Sequence, residues 1–166
     1  MMKKWFILLF SFSLAGALAS GCGYSLHHKA DLPFTEIRIG AIENKTLEPR
    51  LQDKLQEALA AEFSKNGIAV TRGAKAQLSG VIRTFDMVSL SEKDDTTVEY
   101  RVMIETDFTF TDADGRVQEI RKKGSPFIVS FSGSQDMGNL LANRDQAERQ
   151  AMSDTAMEIV GELIFP

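Results

Sequence analysis

The chain is poor in the side chains that carry most protein chemistry. It has one cysteine in 166 residues, Cys22, and two histidines, His27 and His28. A lone cysteine excludes an internal disulfide framework and any zinc site built on several thiolates. The histidines are neighbours, and neighbouring positions on an extended segment point apart, so they make no preformed metal site. No G-x-S-x-G elbow, H-E-x-x-H helix or Walker loop occurs. Asp112-Ala113-Asp114-Gly115 opens like a calcium loop, but the twelfth position is Lys123 where a glutamate is needed, so it reads as turn chemistry. The carboxylates are spread over polar faces, and none pairs obviously as acid and base. These gaps point away from an enzyme: no catalytic, cofactor-binding or metal-ligating residue is expected. A long hydrophobic run is missing as well. The greasiest stretch, Trp5 to Leu18, has 14 residues, short of the ~20 that a spanning helix needs.

That stretch follows Lys3 and Lys4 and leads into Leu18-Ala19-Ser20-Gly21-Cys22. A positive end, an apolar core and small residues at a cleavage point make a secretory signal. A cysteine directly after the small residues suggests the bacterial lipoprotein signal, in which the thiol is alkylated with diacylglycerol and the new amino terminus acylated. Ala19 stands where that pattern usually has leucine. The bland alternative is a soluble exported protein with a stray thiol, but an unpaired cysteine is an odd leftover in an oxidising compartment. Several acyl chains hold a protein on a bilayer far longer than one, because each buried methylene adds ~0.8 kcal/mol. Gly23 occupies the place of the aspartate that in some bacteria retains lipoproteins at the inner membrane. An outer-membrane anchor facing the periplasm is therefore favoured. The expected organisation is a signal peptide over residues 1–21, a lipidated tether over 22–33 and one domain over 34–166.

Cleavage before Cys22 leaves 145 residues with 17 Lys+Arg against 23 Asp+Glu, a net charge of −6. The length suffices for one domain with a real core. The acidic balance argues against general nucleic-acid binding, which needs a basic surface.

Thr35 to Ile42 alternates and predicts a first strand. Asn44-Lys45-Thr46 is a turn, and Pro49 suits the first turn of a helix. That helix, Pro49 to Lys65, lines up Leu51, Leu55, Ala58, Leu59 and Phe63 on one stripe opposite a polar side. Asn66-Gly67 supplies its C-cap. A second strand follows in two pieces, Ile68 to Thr71 and Ala76 to Ser91, with a phase shift at Phe85 that predicts a β-bulge. Val98 to Phe110 alternates most clearly. Val98, Tyr100, Val102, Ile104, Phe108 and Phe110 share a dry face; Glu99, Arg101, Glu105, Asp107 and Thr109 share a wet one. The next strand contains Pro126, so it is an edge strand or is broken there. Arg121-Lys122-Lys123 beside it reads as a solvated edge that discourages strand addition. Ser132 to Leu141 reads as a loop, and Asn143 with Gln146 as a capping box. It opens a last helix with Ala147, Ala151, Thr155, Ile159, Val160 and Leu163 on one face. The predicted fold class is α+β: a four-stranded mixed sheet in the order β-α-β-β-β-α with two helices on one face. The strands flanking the first helix should be parallel.

Several segments together resemble a known family. Cys22-Gly23-Tyr24-Ser25-Leu26, then Leu32-Pro33, then Ile42-Glu43-Asn44-Lys45-Thr46-Leu47-Glu48-Pro49 leading into a helix is similar to the lipopolysaccharide-assembly lipoproteins, the LptE family. Ala76-Gln77-Leu78-Ser79-Gly80, Glu99-Tyr100-Arg101-Val102 and the closing Ile159-Val160-Gly161-Glu162-Leu163 agree with it. The resemblance covers essentially all of the chain after the signal. It implies a non-enzymatic protein that forms a one-to-one complex with the outer-membrane barrel LptD, sits largely in its lumen as a plug, and helps deliver lipopolysaccharide to the outer leaflet. A plug inside a wet barrel needs a polar exterior and a dry seam only between its own sheet and helices. Membrane contact would be through the lipid on Cys22.

The predicted topology brings Lys45, Lys93 and Arg144 to one end, remote from the tether. They are the candidate contacts for the phosphates of lipid A, which favour Lys and Arg donors; scattered surface charge is the plainer reading. Two other functions compete. A periplasm-facing lipoprotein could activate a peptidoglycan synthase or scaffold a secretion assembly, again without catalytic residues. A secreted hydrolase would need a nucleophile and base in a concave site.

Overall fold

The computed structural model describes residues 32–93, 96–124, 126–130 and 137–165. They belong to one compact unit, Leu32–Pro166. The signal segment, Cys22, the tether and both histidines lie outside the described residues. The elements are β1 (Glu36–Asn44), α1 (Leu51–Lys65), β2 (Ala69–Val70), β3 (Gln77–Lys93), β4 (Thr96–Thr111), β5 (Val117–Lys123), β6 (Pro126–Ser130) and α2 (Met137–Ile164). The sheet runs β2-β1-β3-β4-β5, and β6 pairs with β4 farther along the same edge as β5. β1 is parallel to β2 and β3; β4 is antiparallel to β3, β5 and β6.

The class is α+β with two helices on one face of a mixed sheet, but the strand count is six rather than four. Two expected strands are each divided. The second splits because Thr71 to Ala76 is not strand: the short β2 takes the outer side of β1, while β3 takes the inner side. The fourth splits at Gly124, whose φ of 112° favours glycine. Pro126, which lacks an N–H, then starts β6. Position 124 also admits no larger residue, since a methyl there would stand 2.4 Å from the Ile104 carbonyl oxygen.

The predicted stripe of α1 is its buried side: Leu51, Leu55, Leu59 and Phe63 are fully covered, and Ala58 packs at their margin. The helix begins at Leu51 rather than Pro49, because Arg50 takes a left-handed φ of 64° and turns the chain just before it. At the other end Gly67 adopts φ 80°. Its N–H donates to Ser64 O at 3.0 Å, and Ile68 N–H donates to Phe63 O at 2.9 Å. These are the two bonds of a Schellman ending, with buried Ile68 and Phe63 as its apolar contact.

The core joins this stripe to Ile37, Leu78, Ile82, Val102, Ile104, Phe108 and Ile120 from the sheet, and to α2 through Ala147, Ala151, Met152, Ala156, Ile159, Val160 and Leu163. Thr155 is buried in the same face and donates its hydroxyl to Ala151 O at 2.8 Å. The alternation of β4 holds from Val102 to Phe110; the side chains of Val98, Tyr100 and Glu99 lie outside the described residues. Thr106 completes the inner face, its hydroxyl donating to Lys123 O at 2.8 Å. The bulge expected near Phe85 falls between Ile82 and Thr84, where the β3–β4 register shifts. Two further expectations fail: residues 137–141 of the expected loop Ser132–Leu141 are helical, the rest of it lying outside the described residues, and the capping box is not formed. Helix α2 starts at Met137, so Asn143 and Gln146 are interior positions. Leu140, Leu141 and Ala142 are strong helix formers and carry the helix back past a plausible cap.

Gly80 lies opposite Phe108 in the β3–β4 ladder. A methyl group on it would stand 2.5 Å from that ring, which is itself buried. Gly80→Ala is therefore expected to destabilise the domain by about 1–3 kcal/mol through overpacking. Urea denaturation of the variant checks this, and an unchanged midpoint would refute it.

Candidate functional site

The sheet end where β1 stops is built by a short self-folded loop. Asn44 donates its side-chain amide to Glu48 O at 2.7 Å. Its Oδ1 accepts from the Thr46 N–H at 3.0 Å and the Thr46 hydroxyl at 2.7 Å. Thr46 Oγ1 in turn accepts from the Glu48 N–H at 3.2 Å. The Asn-x-Thr-x-Glu spacing is thus an Asx-type turn made by side chains, which explains the residue types it needs. It leaves Leu47 wholly exposed, at 103% of its reference area, and directs Glu48 towards α2.

Arg144 of α2 bonds the Glu48 carboxylate, and its Nε also reaches Glu148 at 3.3 Å. Leu141, one turn earlier, is exposed. Beneath them Lys54 of α1 donates to Asp145 at 2.6 Å and to Glu148. Asp145 has a second partner in Arg149. This ion-pair network crosses the helix–helix seam, with Glu148 nearly buried at 5% side-chain exposure. Burial pulls the Lys54 ammonium down, but the hydrogen bonds it donates to Asp145 and Glu148, with their charges, outweigh this and hold its pKa above the ordinary 10.5. The Lys54 hydrogen bond holds the Asp145 carboxyl below its ordinary 3.8.

A pH dependence follows from these directions. The stabilisation from Asp145 is complete above its unfolded value and is lost as pH falls through the lower folded one. That from Lys54 is complete below 10.5 and is lost as pH rises through its raised folded value. Thermal unfolding should therefore show a plateau between these limits. In Lys54→Met the stability lost on the acid side should shrink, because Asp145 then titrates nearer its unfolded value; an unchanged acid loss would contradict the assignment.

The face of the sheet away from the helices is open and polar. A shallow concavity of about 590 Å³ runs across it, lined by Glu43, Lys45, Gln77, Ser79, Arg83 and Asp107 among others. Charges there pair locally: Arg83 with Asp107, Lys45 with Glu43 at 3.7 Å, and Arg121 with Glu119. Among the described residues no group of three or more His, Cys, Asp or Glu could hold a metal ion. None of their helices is long and apolar enough to cross a membrane.

The candidate cations separate into two places. Lys45 and Arg144 share the loop end, joined through the turn that holds Glu48. Lys45 N–H bonds Ile82 O at 3.0 Å, whereas β3 continues eleven residues past Ile82 to Lys93. At the ordinary strand rise that is on the order of 30 Å. β1 and β3 differ in length, so strands that run the same way do not end together. The Lys93 side chain lies outside the described residues. Leu47, Leu141 and the Lys54 network were not read from the sequence. Leu47 could have been found as an apolar residue inside a turn motif; the network needed the helix packing.

An α+β domain with a helix-covered face, an open polar sheet and an ordered basic and apolar loop end is the class these features define. The chain belongs to the lipopolysaccharide-assembly family, LptE, whose family model matches residues 34–163. A comparison with curated proteins finds no match. Among solved structures, a protein from Xanthomonas campestris is similar with a TM-score of 0.50 at 16% identity, covering 81% of this chain and 86% of that one. Lipoprotein B from Nitrosomonas europaea is similar at 19% identity with a TM-score of 0.49, covering 83% and 88%. The rare lipoprotein B from Shewanella oneidensis is 9% identical with a TM-score of 0.48, covering 75% and 93%. At these identities the first supports the fold alone, and the other two add no argument.

Proposed function

We propose that this chain is an outer-membrane lipoprotein, acylated on Cys22, that pairs one-to-one with the barrel LptD and assists delivery of lipopolysaccharide to the outer leaflet. The family match over residues 34–163 carries this reading. The open sheet face supports it, because a module enclosed by a wet barrel gains from polar, locally neutralised charge on the side its helices leave bare. Its role is contact and assembly rather than turnover. Lys45 and Arg144, with Leu47 and Leu141 beside them, form the end best suited to lipid A, where phosphates lie next to acyl chains. Lys93 is a separate candidate contact on the projecting β3.

Co-expression with the candidate barrel partner tests the central reading. A stable one-to-one complex recovered from solubilised outer membrane is expected, and Cys22→Ser should release the protein into the soluble periplasmic fraction. Failure to recover any complex, with surface lipopolysaccharide unchanged when the protein is depleted, would overturn it. For the lipid contact, reversing Lys45, Lys93 and Arg144 to glutamate should weaken lipopolysaccharide binding in vitro. Unchanged binding would retire those residues.

A further inference from the structure

Strand β3 has a neighbour on each side only as far as Ile82. There β1 ends: Asn44 is its last residue opposite β3, and the Lys45 N–H bonds Ile82 O at 3.0 Å as the chain turns away. Beyond that point β4 still pairs with one side of β3, and among the described residues no strand pairs with the other. The β3–β4 ladder is unbroken from Thr84 to Ser89, between two register shifts. This stretch is a regular, one-sided edge that continues the line of β1.

Its phase follows from two directions. Asp112 N–H donates to Arg116 O at 2.9 Å, so the peptide groups of Asp112 face β5. Alternate residues of β4 back from there, through Thr106 and Ile104 to Val102, also face away from β3. Glu105, Met103 and Arg101 therefore bond β3, and their partners Thr84, Asp86 and Val88 bond back. Phe85 and Met87 turn their N–H and C=O to the open edge. The Lys45–Ile82 bond gives the same phase once Arg83, the extra residue of the bulge, is counted.

We infer that this edge takes a strand of the barrel partner, laid end to end with β1. The inference rests on the one-to-one complex proposed above and locates one of its contacts. Donors and acceptors that recur every second residue are matched by an extended backbone and not by a lipid. The stretch also lacks the usual guards of an edge. It has no Lys, Arg, Pro or Gly, whereas the β5 edge carries Arg121, Lys122 and Lys123. Phe85 and Met87 are partly buried at the rim of the core, and Asp86 is exposed on the other face. The fitting segment is therefore one that alternates, apolar towards the helices and polar on the open sheet. A second copy of this chain does not fit. A two-fold on Met87 would lay the other copy's Glu92 where Asn44 already stands opposite Ile82. On Asp86 or Phe85 the overlap is greater. A single segment that stops at the Asn44 turn meets no such obstacle.

Residue-resolved hydrogen exchange, on the acylated chain alone and in its purified complex with the barrel, tests the inference. The amides of Phe85 and Met87 should exchange at least about tenfold more slowly in the complex, with Thr84, Asp86 and Val88 protected in both states. Met87→Pro removes an outward N–H and leaves the β4 ladder intact. Met87→Ala loses the same packing but keeps that N–H, so the two free domains should unfold at similar temperatures. The proline variant should bind the barrel about tenfold more weakly than the alanine variant. If the proline variant does not fold, the exchange of the unaltered chain decides alone. Unchanged exchange at Phe85 and Met87 in an intact complex would overturn this inference and leave the one-to-one reading standing. Equal binding by the two folded variants would overturn it too. No complex at all would overturn both. Slow exchange that appears in the chain alone as its concentration rises would overturn it in favour of a second copy.

Discussion

Phe63→Ala is expected to cost the domain about 3–5 kcal/mol, a large share of the stability of any domain this size. Phe63 is among the largest fully buried side chains and sits in the last turn of α1. Its ring meets Phe34 edge-on with centroids 6.3 Å apart, and Phe34 in turn lies 5.2 Å from Phe110 of β4. The aromatic chain therefore ties the segment before β1, the helix and the centre of the sheet together. Its own carbonyl also receives the Ile68 N–H that closes the helix. Removing the ring leaves a cavity whose lining cannot collapse without moving three elements, and so the upper part of the range applies. Urea denaturation should show a lower midpoint at unchanged slope. Phe63→Leu, which refills most of the volume, should recover more than half of the loss. A deficit below about 1 kcal/mol for the alanine variant would mean that the site closes over the gap.

Lys54→Met should cost about 3 kcal/mol for a different reason. Methionine keeps the packing of the lysine stem, so the loss is electrostatic. Glu148 remains with almost no access to water, held only by Arg144, whose own side chain is 47% exposed. Asp145 is less affected because it is partly solvated and retains Arg149. Adding Glu148→Leu to Lys54→Met removes the stranded charge and should return most of the stability. Breaking one partner of a buried pair is costly, while replacing both with apolar groups is close to neutral. The double variant is thus predicted to be more stable than the single. If it is less stable, the network contributes net attraction beyond satisfying its own desolvation.

Where apolar side chains repeat with one period, the fold was legible in the sequence. The four-residue spacing from Leu51 to Phe63 marked the buried side of α1, and the two-residue spacing from Val102 to Phe110 marked the inner face of β4. Pro126 correctly announced a broken edge, and the phase change before Phe85 a bulge. Less legible were features decided by distant partners. Nothing local says that β2 should stop after two residues, or that β3 should outrun β1; this is why the grouping of Lys45 with Lys93 does not hold. Asn143 failed as a helix start because a good cap signal also occurs by chance within a helix. Lys54 read as part of a wet helix side because only the packing of α2 brings Asp145 and Glu148 over it. Of the site, the Asn44-to-Pro49 motif was visible as a pattern, but its reason, a turn held by its own side chains, is a matter of geometry.

The parallel placement of β1 has a kinetic consequence. Both neighbours of β1 lie beyond α1 in the chain, so neither pairing can form until the intervening helix has folded back. β3 and β4, by contrast, lie next to each other in the chain, pair from Lys93 and Thr96 onwards, and can zip from that end. Loop-closure entropy therefore favours the meander of β3, β4 and β5 as the early partly folded species. Docking of β1 comes late, and a polypeptide emerging amino end first must hold that strand unpaired until the rest arrives.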